Sequence, residues 1–230
     1  MEAIVLAGGL GTRLQSVISE IPKPMAPIAD QPFLLYILKW LEKNGITRVV
    51  LSVGYKWEII HKEFGEHFNS IELVYSIEDL PLGTGGAIAL AMTKINETQF
   101  FIINGDTFFD INLDSLLSFH MAGRYDFSIA LKPMCNFSRY GSVELDENNR
   151  IIRFNEKSPR LNGLINGGIY LTNYSINKYF PQIEKFSFEN DFIEKMLKQL
   201  SIGGIVKENY FIDIGIPEDY KRAQLELPQL

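Results

Sequence analysis

Cysteine is nearly absent from this chain. The single thiol, Cys135, cannot form an internal disulfide, which excludes a disulfide-stapled secreted scaffold and fits a reducing, cytoplasmic setting. Histidine is almost as scarce: His61, His67 and His120 have no partners at zinc-site spacing. No Ser-His-Asp or Cys-His pairing is evident. Long apolar runs are missing too, and Met1-Glu2 leads straight into a candidate strand, so neither a membrane span nor a secretory leader is expected. Positive charge is in deficit. With 22 Lys and Arg against 28 Asp and Glu, the net charge of -6 argues against a nucleic-acid surface. It leaves a phosphate ligand open, because a few local cations and a metal set the local field.

What is present suits a globular protein: 46% hydrophobic and 22% charged residues over 230 positions, enough for one good-sized domain. No linker, low-complexity segment or internal repeat interrupts it. In the first half, strands are predicted at Ala3–Ala7, Arg48–Val53, Ile71–Ser76 and Gln99–Ile103. Helices are predicted at Phe33–Asn44, with Gly45 as C-terminal stop, at Trp57–Phe64 and at Gly85–Thr93. This alternation implies parallel strands with helices on both faces. The second half reads as short strands at Phe127–Lys132, Gly141–Leu145, Ile151–Phe154 and Ile165–Leu171, with a hairpin turn at Asp146–Asn149. Helices are expected at Glu189–Leu200 and Pro217–Leu225. One α/β domain is expected over residues 1–230, with halves of about 1–110 and 111–230.

The densest signal is Leu6-Ala7-Gly8-Gly9-Leu10-Gly11-Thr12-Arg13-Leu14, with Lys23 ten residues beyond Arg13. A strand opening into three glycines brings backbone N–H groups against a phosphate chain without obstructing side chains. Arg13 and Lys23 add positive charge. The loop is not a Walker A motif, because it ends Gly-Thr-Arg and lacks Gly-Lys-Ser/Thr. It is not a dinucleotide fingerprint, because Leu14 replaces the third glycine and Asp30 lies in a turn-like Ala-Asp-Gln-Pro stretch. A plain tight turn explains the glycines, but not Arg13 together with Pro22-Lys23-Pro24.

The run G-G-x-G-T-R-L followed by P-K-P-M resembles the sugar-1-phosphate nucleotidylyltransferases. Five later motifs match in order from Gly83 to Gly215: Gly83-Thr84-Gly85-Gly86-Ala87, Asn104-Gly105-Asp106, Glu156-Lys157, Asn166-Gly167-Gly168-Ile169-Tyr170 and Phe211-Ile212-Asp213-Ile214-Gly215. The resemblance spans Ile4 to about Ala223. It implies a Rossmann-like α/β/α sandwich around a mixed, mainly parallel sheet, without the left-handed β-helix extension some relatives carry. The implied reaction joins a nucleoside triphosphate to a sugar 1-phosphate and releases pyrophosphate, with a nucleotide-binding half over about 1–110 and a sugar-binding half over about 111–230. The nucleotide would lie against Leu6, Ala7, Gly8, Gly9, Gly11, Thr12, Arg13, Lys23, Glu78, Gly83, Thr84 and Asp106.

Asp106 follows a buried apolar strand, where ligands of open α/β sheets bind. From the residues alone it is equally a Mg²⁺ ligand or a turn aspartate; the Asn-Gly-Asp match favours the metal. Asp213 sits in an apolar strand, where a carboxylate is costly unless paired or metal-bound; a capping role for the helix at Pro217 is the alternative. The resemblance implies a two-aspartate Mg²⁺ site, with Arg13, Lys23, Asp106 and Asp213 catalytic. It further implies that Lys157 holds the sugar phosphate, that Glu156 holds sugar hydroxyls, and that Asn166, Gly168, Tyr170, Tyr140 and Gly141 line the sugar site.

Guanine presents adjacent N1–H and N2–H₂ donors that one carboxylate accepts together. Glu78 stands where pyrimidine-using relatives often carry Gln, which favours GTP; a solvated loop acid is the alternative. The chain most resembles the D-glycero-α-D-manno-heptose 1-phosphate guanylyltransferases of surface polysaccharide pathways. Mannose 1-phosphate guanylyltransferases are the nearest rivals, then same-fold uridylyltransferases acting on glucose or N-acetylmuramate 1-phosphate. In another class stands a non-catalytic nucleotide-sugar sensor, against which the full set of Arg13, Lys23, Asp106, Lys157 and Asp213 argues. A monomer or homodimer is expected.

Overall fold

The computed structural model describes residues 1–9 and 21–230. The first half runs β1 (Glu2–Leu6), β2 (Pro27–Ile28), β3 (Gln31–Pro32), α1 (Phe33–Lys43), β4 (Arg48–Val53), α2 (Trp57–Phe64), β5 (His67–Phe68), β6 (Ile71–Ile77), α3 (Gly83–Met92), β7 (Gln99–Asn104) and β8 (Thr107–Phe109). Next come α4 (Leu113–Gly123), β9 (Phe127–Phe137), β10 (Ser142–Leu145), β11 (Ile151–Asn155) and β12 (Arg160–Asn173). A π-helical segment (Phe188–Ile193) leads into α5 (Glu194–Met196), β13 (Ile202–Val206), β14 (Phe211–Asp213) and α6 (Pro217–Glu226).

Ten strands form one mixed sheet in the order β11-β10-β12-β7-β1-β4-β6-β5, with β9 on β12 and β13 on β9. The pairs β7/β1, β1/β4 and β4/β6 are parallel. These strands are covered on both faces, so they read as continuous apolar runs. Ala3, Val5, Val49, Leu51, Phe101 and Ile103 pack with Phe33 and Leu34 of α1, Leu116 of α4 and Ala223 of α6. Their alternates Ile4, Val50, Phe100 and Ile102 pack with Ile88 of α3, Phe188 and Phe192. The result is the expected α/β/α sandwich.

β12 joins the two kinds of pairing. Its first part lies antiparallel to β10, with Ile165 opposite Ser142, and its last part antiparallel to β7, from Ile169–Ile103 to Asn173–Gln99. β9 runs along its other edge, with a register shift between Asn166 and Tyr170. Gly168 sits at that break with φ +73°, and a Cβ there would come 2.8 Å from Asn104 Nδ2.

Several local readings hold. Gly45 takes φ +74° just after α1, as a helix stop requires. Ala29 and Asp30 both have positive φ, forming the two-residue turn between β2 and β3. The Asp146 carboxylate accepts from the N–H groups of Asn148 and Arg150, closing the β10–β11 turn. Others are corrected. The helix expected over Glu189–Leu200 is a π-helical segment and a single α turn ending at Met196. Its start is fixed by a reciprocal cap: Ser187 Oγ accepts from Asn190 N, and the Asp191 carboxylate accepts from Ser187 N. α4 and β13 were not anticipated. For α4 the signal was Asn112, whose side chain accepts from Ser115 N at 2.9 Å as an N-cap.

Candidate active site

A cavity of about 920 Å³ opens at the carboxyl ends of β1, β4, β6 and β7. Leu6, Gly8 and Gly9 line it from the end of β1, Glu78 and Asp79 from the end of β6, and Gly83 and Thr84 from the start of α3. Gly11, Thr12 and Arg13 lie outside the described residues. Ala7 is buried, and its N–H donates to Ser52 O at 2.7 Å, which anchors the chain as it leaves β1.

The Asn104-Gly105-Asp106 turn is wedged against that exit. Gly105 N donates to Leu6 O at 3.0 Å, and a Cβ on Gly105 would come 2.4 Å from the same oxygen. Only glycine lets the turn approach so closely. Asp106 then leads into β8, which pairs antiparallel with β14 so that Thr107 faces Asp213. Ile214 N donates to Asp106 O at 3.0 Å. This pairing brings together two aspartates far apart in sequence.

Lys23 stands between them. It heads a 3-10 turn (Lys23–Met25), and its side chain is only 12% exposed. Its Nζ lies 2.6 Å from Asp106 Oδ2 and 3.9 Å from Asp213 Oδ1. Thr107 Oγ1 donates to the other Asp106 oxygen, and Gly215 N donates to Asp213 Oδ1 at 2.7 Å. Burial holds Asp213 above the ordinary carboxylate range, and the Asp106 charge raises it further; Lys23 offsets only part. Desolvation and like-charge repulsion thus outweigh the ammonium. Asp213 does not cap α6, whose N-cap is Ile216 with no side-chain cap bond.

Tyr140 joins this group. Its hydroxyl donates to Asp213 Oδ2 at 3.3 Å, and burial with the Asp213 charge raises the phenol, keeping it a donor. Gly141 follows, so close to Asn155 that a Cβ would come 2.7 Å from the Asn155 carbonyl oxygen. Arg139, which the sequence reading did not single out, pairs with Asp219 of α6.

Glu78 lines the same cavity from the end of β6. Its Oε2 accepts from Leu82 N at 2.9 Å, and a Cβ on Gly8 would come 3.0 Å from Oε1. Burial raises its carboxyl, partly offset by the Leu82 N–H. Glu78 is therefore a fixed, half-buried acid, not a freely solvated one. Tyr55, Lys56, Trp57 and Glu58 line the cavity too. Their place beyond the carboxyl end of β4 is where the open-sheet rule could have found them.

Asn166, Gly168 and Tyr170 of β12 converge with Glu189, another residue not anticipated. Asn166 Nδ2 donates to the Tyr170 hydroxyl and to Glu189 Oε1, and Asn166 Oδ1 accepts from Gly168 N at 3.0 Å. Glu156 and Lys157 lie on an exposed turn after β11 and are not among the residues lining the cavity. Among the described residues, no cluster of three or more His, Cys, Asp or Glu could hold a metal, and no helix is long and apolar enough to cross a membrane.

A family profile described as nucleotidyl transferase matches residues 2–229. The chain belongs to the nucleotidyl transferase family. Similar relatives in this family include the D-glycero-alpha-D-manno-heptose 1-phosphate guanylyltransferase of Aneurinibacillus thermoaerophilus, 51% identical over 99% of this chain and 98% of the relative. The protein of the same description from Campylobacter jejuni is 49% identical over 96% and 97% of the two chains. Among solved structures, HddC from Yersinia pseudotuberculosis complexed with GMP-PN matches with a TM-score of 0.87 at 38% identity, over 97% of both chains. A nucleotidyl transferase must hold two anionic substrates in one cleft. Lys23 and Asp106 line this one, with Asp213 3.9 Å from the Lys23 ammonium.

Proposed function

We propose that the chain transfers GMP from GTP to D-glycero-α-D-manno-heptose 1-phosphate, giving GDP-heptose and pyrophosphate. The observation that carries this reading is the convergence of Asp106, Asp213 and Lys23, with Lys23 and Asp106 lining a cavity that also contains Glu78. The two heptose 1-phosphate guanylyltransferases at 51% and 49% identity support the choice of sugar.

The donor set fits a hard divalent cation. Two carboxylates, one from the β7–β8 turn and one from β14, already share one ammonium, every donor is oxygen, and Mg²⁺ is commonly held by one or two carboxylates plus substrate phosphates. Asp106 and Asp213 would hold it, and when bound it neutralises phosphate charge in the transition state.

An oxygen of the sugar phosphate bonds to the α-phosphorus of GTP as the α-to-β phosphoanhydride bond breaks, and pyrophosphate leaves with the electron pair. The attacking oxygen is already ionised, so no general base is required. Lys23 pairs with phosphate oxygens near the reacting centre, Arg13 with the leaving pyrophosphate and Lys157 with the acceptor phosphate. Glu156 accepts from sugar hydroxyls. The backbone of Gly8 and Gly9 admits the triphosphate, and Glu78 accepts from the guanine N1–H and N2–H₂. Catalysis is positioning and electrostatics, as in phosphoryl transfer generally.

The test is pyrophosphate release with Mg²⁺, offering GTP, UTP, CTP, ATP and dTTP against heptose, mannose and glucose 1-phosphates. Release with GTP and the heptose phosphate is the expected result. Preference for mannose 1-phosphate would change the acceptor, a pyrimidine triphosphate would overturn the role of Glu78, and binding of GDP-sugar without any release would point to a sensor.

A further inference from the structure

The polar cluster on β12 has every donor committed. Both hydrogens of Asn166 Nδ2 are used, one to the Tyr170 hydroxyl at 2.7 Å and one to Glu189 Oε1 at 2.9 Å. The Tyr170 O–H closes the ring by donating to the same Glu189 oxygen at 3.0 Å. Tyr170 is 1% exposed, packed between Phe127 and Phe188, and cannot turn its hydroxyl elsewhere. Among the described residues, Glu189 Oε2 has no hydrogen-bond partner. The cluster therefore offers the cavity acceptors only, and the foremost is a Glu189 carboxylate oxygen, held in place by the buried Tyr170 hydroxyl and the half-buried Asn166 amide.

An acceptor-only face attracts O–H and N–H groups and repels phosphate. It is also carried by a different element from the other acid of the cavity. Glu78 lies beside Gly8 on the loops that follow β1 and β6, whereas Glu189 lies with β12 in the second half. We infer that Glu189, oriented by Asn166 and Tyr170, binds hydroxyl groups of the sugar 1-phosphate and sets acceptor specificity. This rests on the proposed reaction, in which Glu78 takes the donors of guanine. A neutral polyol fits such a site. A sugar bearing a carboxylate at the same position does not, because like charges would face each other.

The test is steady-state kinetics of the wild type, Glu189→Gln and Tyr170→Phe, varying GTP and heptose 1-phosphate separately, with calorimetric titration of both ligands. In Glu189→Gln the amide oxygen still accepts from Asn166 and Tyr170, while an NH₂ donor replaces the cavity-facing acceptor. The sugar-phosphate KM and dissociation constant should rise about 10- to 100-fold, as expected for losing a hydrogen bond to a charged group. The GTP constants should stay within about twofold, which also reports that the variant is folded. Tyr170→Phe keeps the ring packing and removes one of the two donors, so the sugar constants should rise by a smaller factor with GTP again spared. Unchanged sugar-phosphate affinity in Glu189→Gln, or equal losses for GTP and sugar, would overturn the inference. If the wild type releases no pyrophosphate, the proposed reaction falls, and the calorimetry still decides Glu189. Wild type that binds neither heptose nor mannose 1-phosphate would overturn both.

Discussion

At the residue scale, the site depends on charges that oppose one another over a few ångströms. Asp106 touches Lys23 at 2.6 Å, and Asp213 is raised by burial and by Asp106 despite that ammonium. Asp106→Asn keeps the shape and removes one charge. Pyrophosphate release should fall by about 10²-fold or more, the scale of losing a major electrostatic element. Near-normal turnover would overturn the proposed metal role of Asp106. Glu78 presents a different case. Its Oε2 is tied to Leu82 N, so Glu78→Gln can keep that bond through the amide oxygen while losing the paired acceptor proposed for guanine. GTP use should weaken more than UTP use in competition assays, and an unchanged nucleotide preference would refute the assignment.

At the element scale, β12 does more than extend the sheet. It leaves β10, shifts register at Asn166–Tyr170 and joins β7, and beyond the shift Tyr170 lines the cavity while Asn166 reaches Glu189. Gly168 makes the break possible. A Cβ at φ +73° costs about 1–2 kcal/mol for an L-residue, and here it also meets Asn104 Nδ2. Gly168→Ala should lower the unfolding midpoint by about 2–8 °C, given about 2–4 °C per kcal/mol in a chain of this size. A midpoint equal to that of the wild type, read by circular dichroism, would show that the left-handed conformation is dispensable. The π-helical segment has a similar role, since its capped start holds Glu189 against β12.

At the scale of the whole molecule, two apolar layers clamp one sheet, and a titratable group lies within that packing. His120 of α4 is 2% exposed, with Nδ1 2.8 Å from Ser128 Oγ. Burial lowers its pKa from 6.5, and Asp126 offsets part of the shift. The folded state thus binds fewer protons than the unfolded state just below pH 6.5. The contribution of His120 is fully present above that pH and is lost as pH falls toward the folded pKa, by at most about 1.4 kcal/mol per pH unit. Urea midpoints at pH 7.5 and 5.5 should differ more for the wild type than for His120→Gln. Equal differences in the two proteins would show that His120 does not couple folding to protons.

The sequence by itself determined the strands that need no partner to be recognised. Ile4, Val50 and Ile102 sit in apolar runs that only a sheet covered on both faces can bury, and Gly45 marks a helix stop. It also determined the order of motifs around Lys23, Asp106 and Asp213, because a carboxylate at the end of an apolar strand demands a partner wherever the chain goes. Only the tertiary structure decided which partners meet. Asp106 reaches Asp213 through the pairing of β8 with β14, a long-range contact that no local pattern encodes. Glu189 was hidden inside an apparent helix, and its value lies in hydrogen bonds to residues 19 and 23 positions away. Local periodicity records which side of an element is apolar. It does not record where a polar side chain on the other side will find its donors, because packing of the whole chain sets those distances.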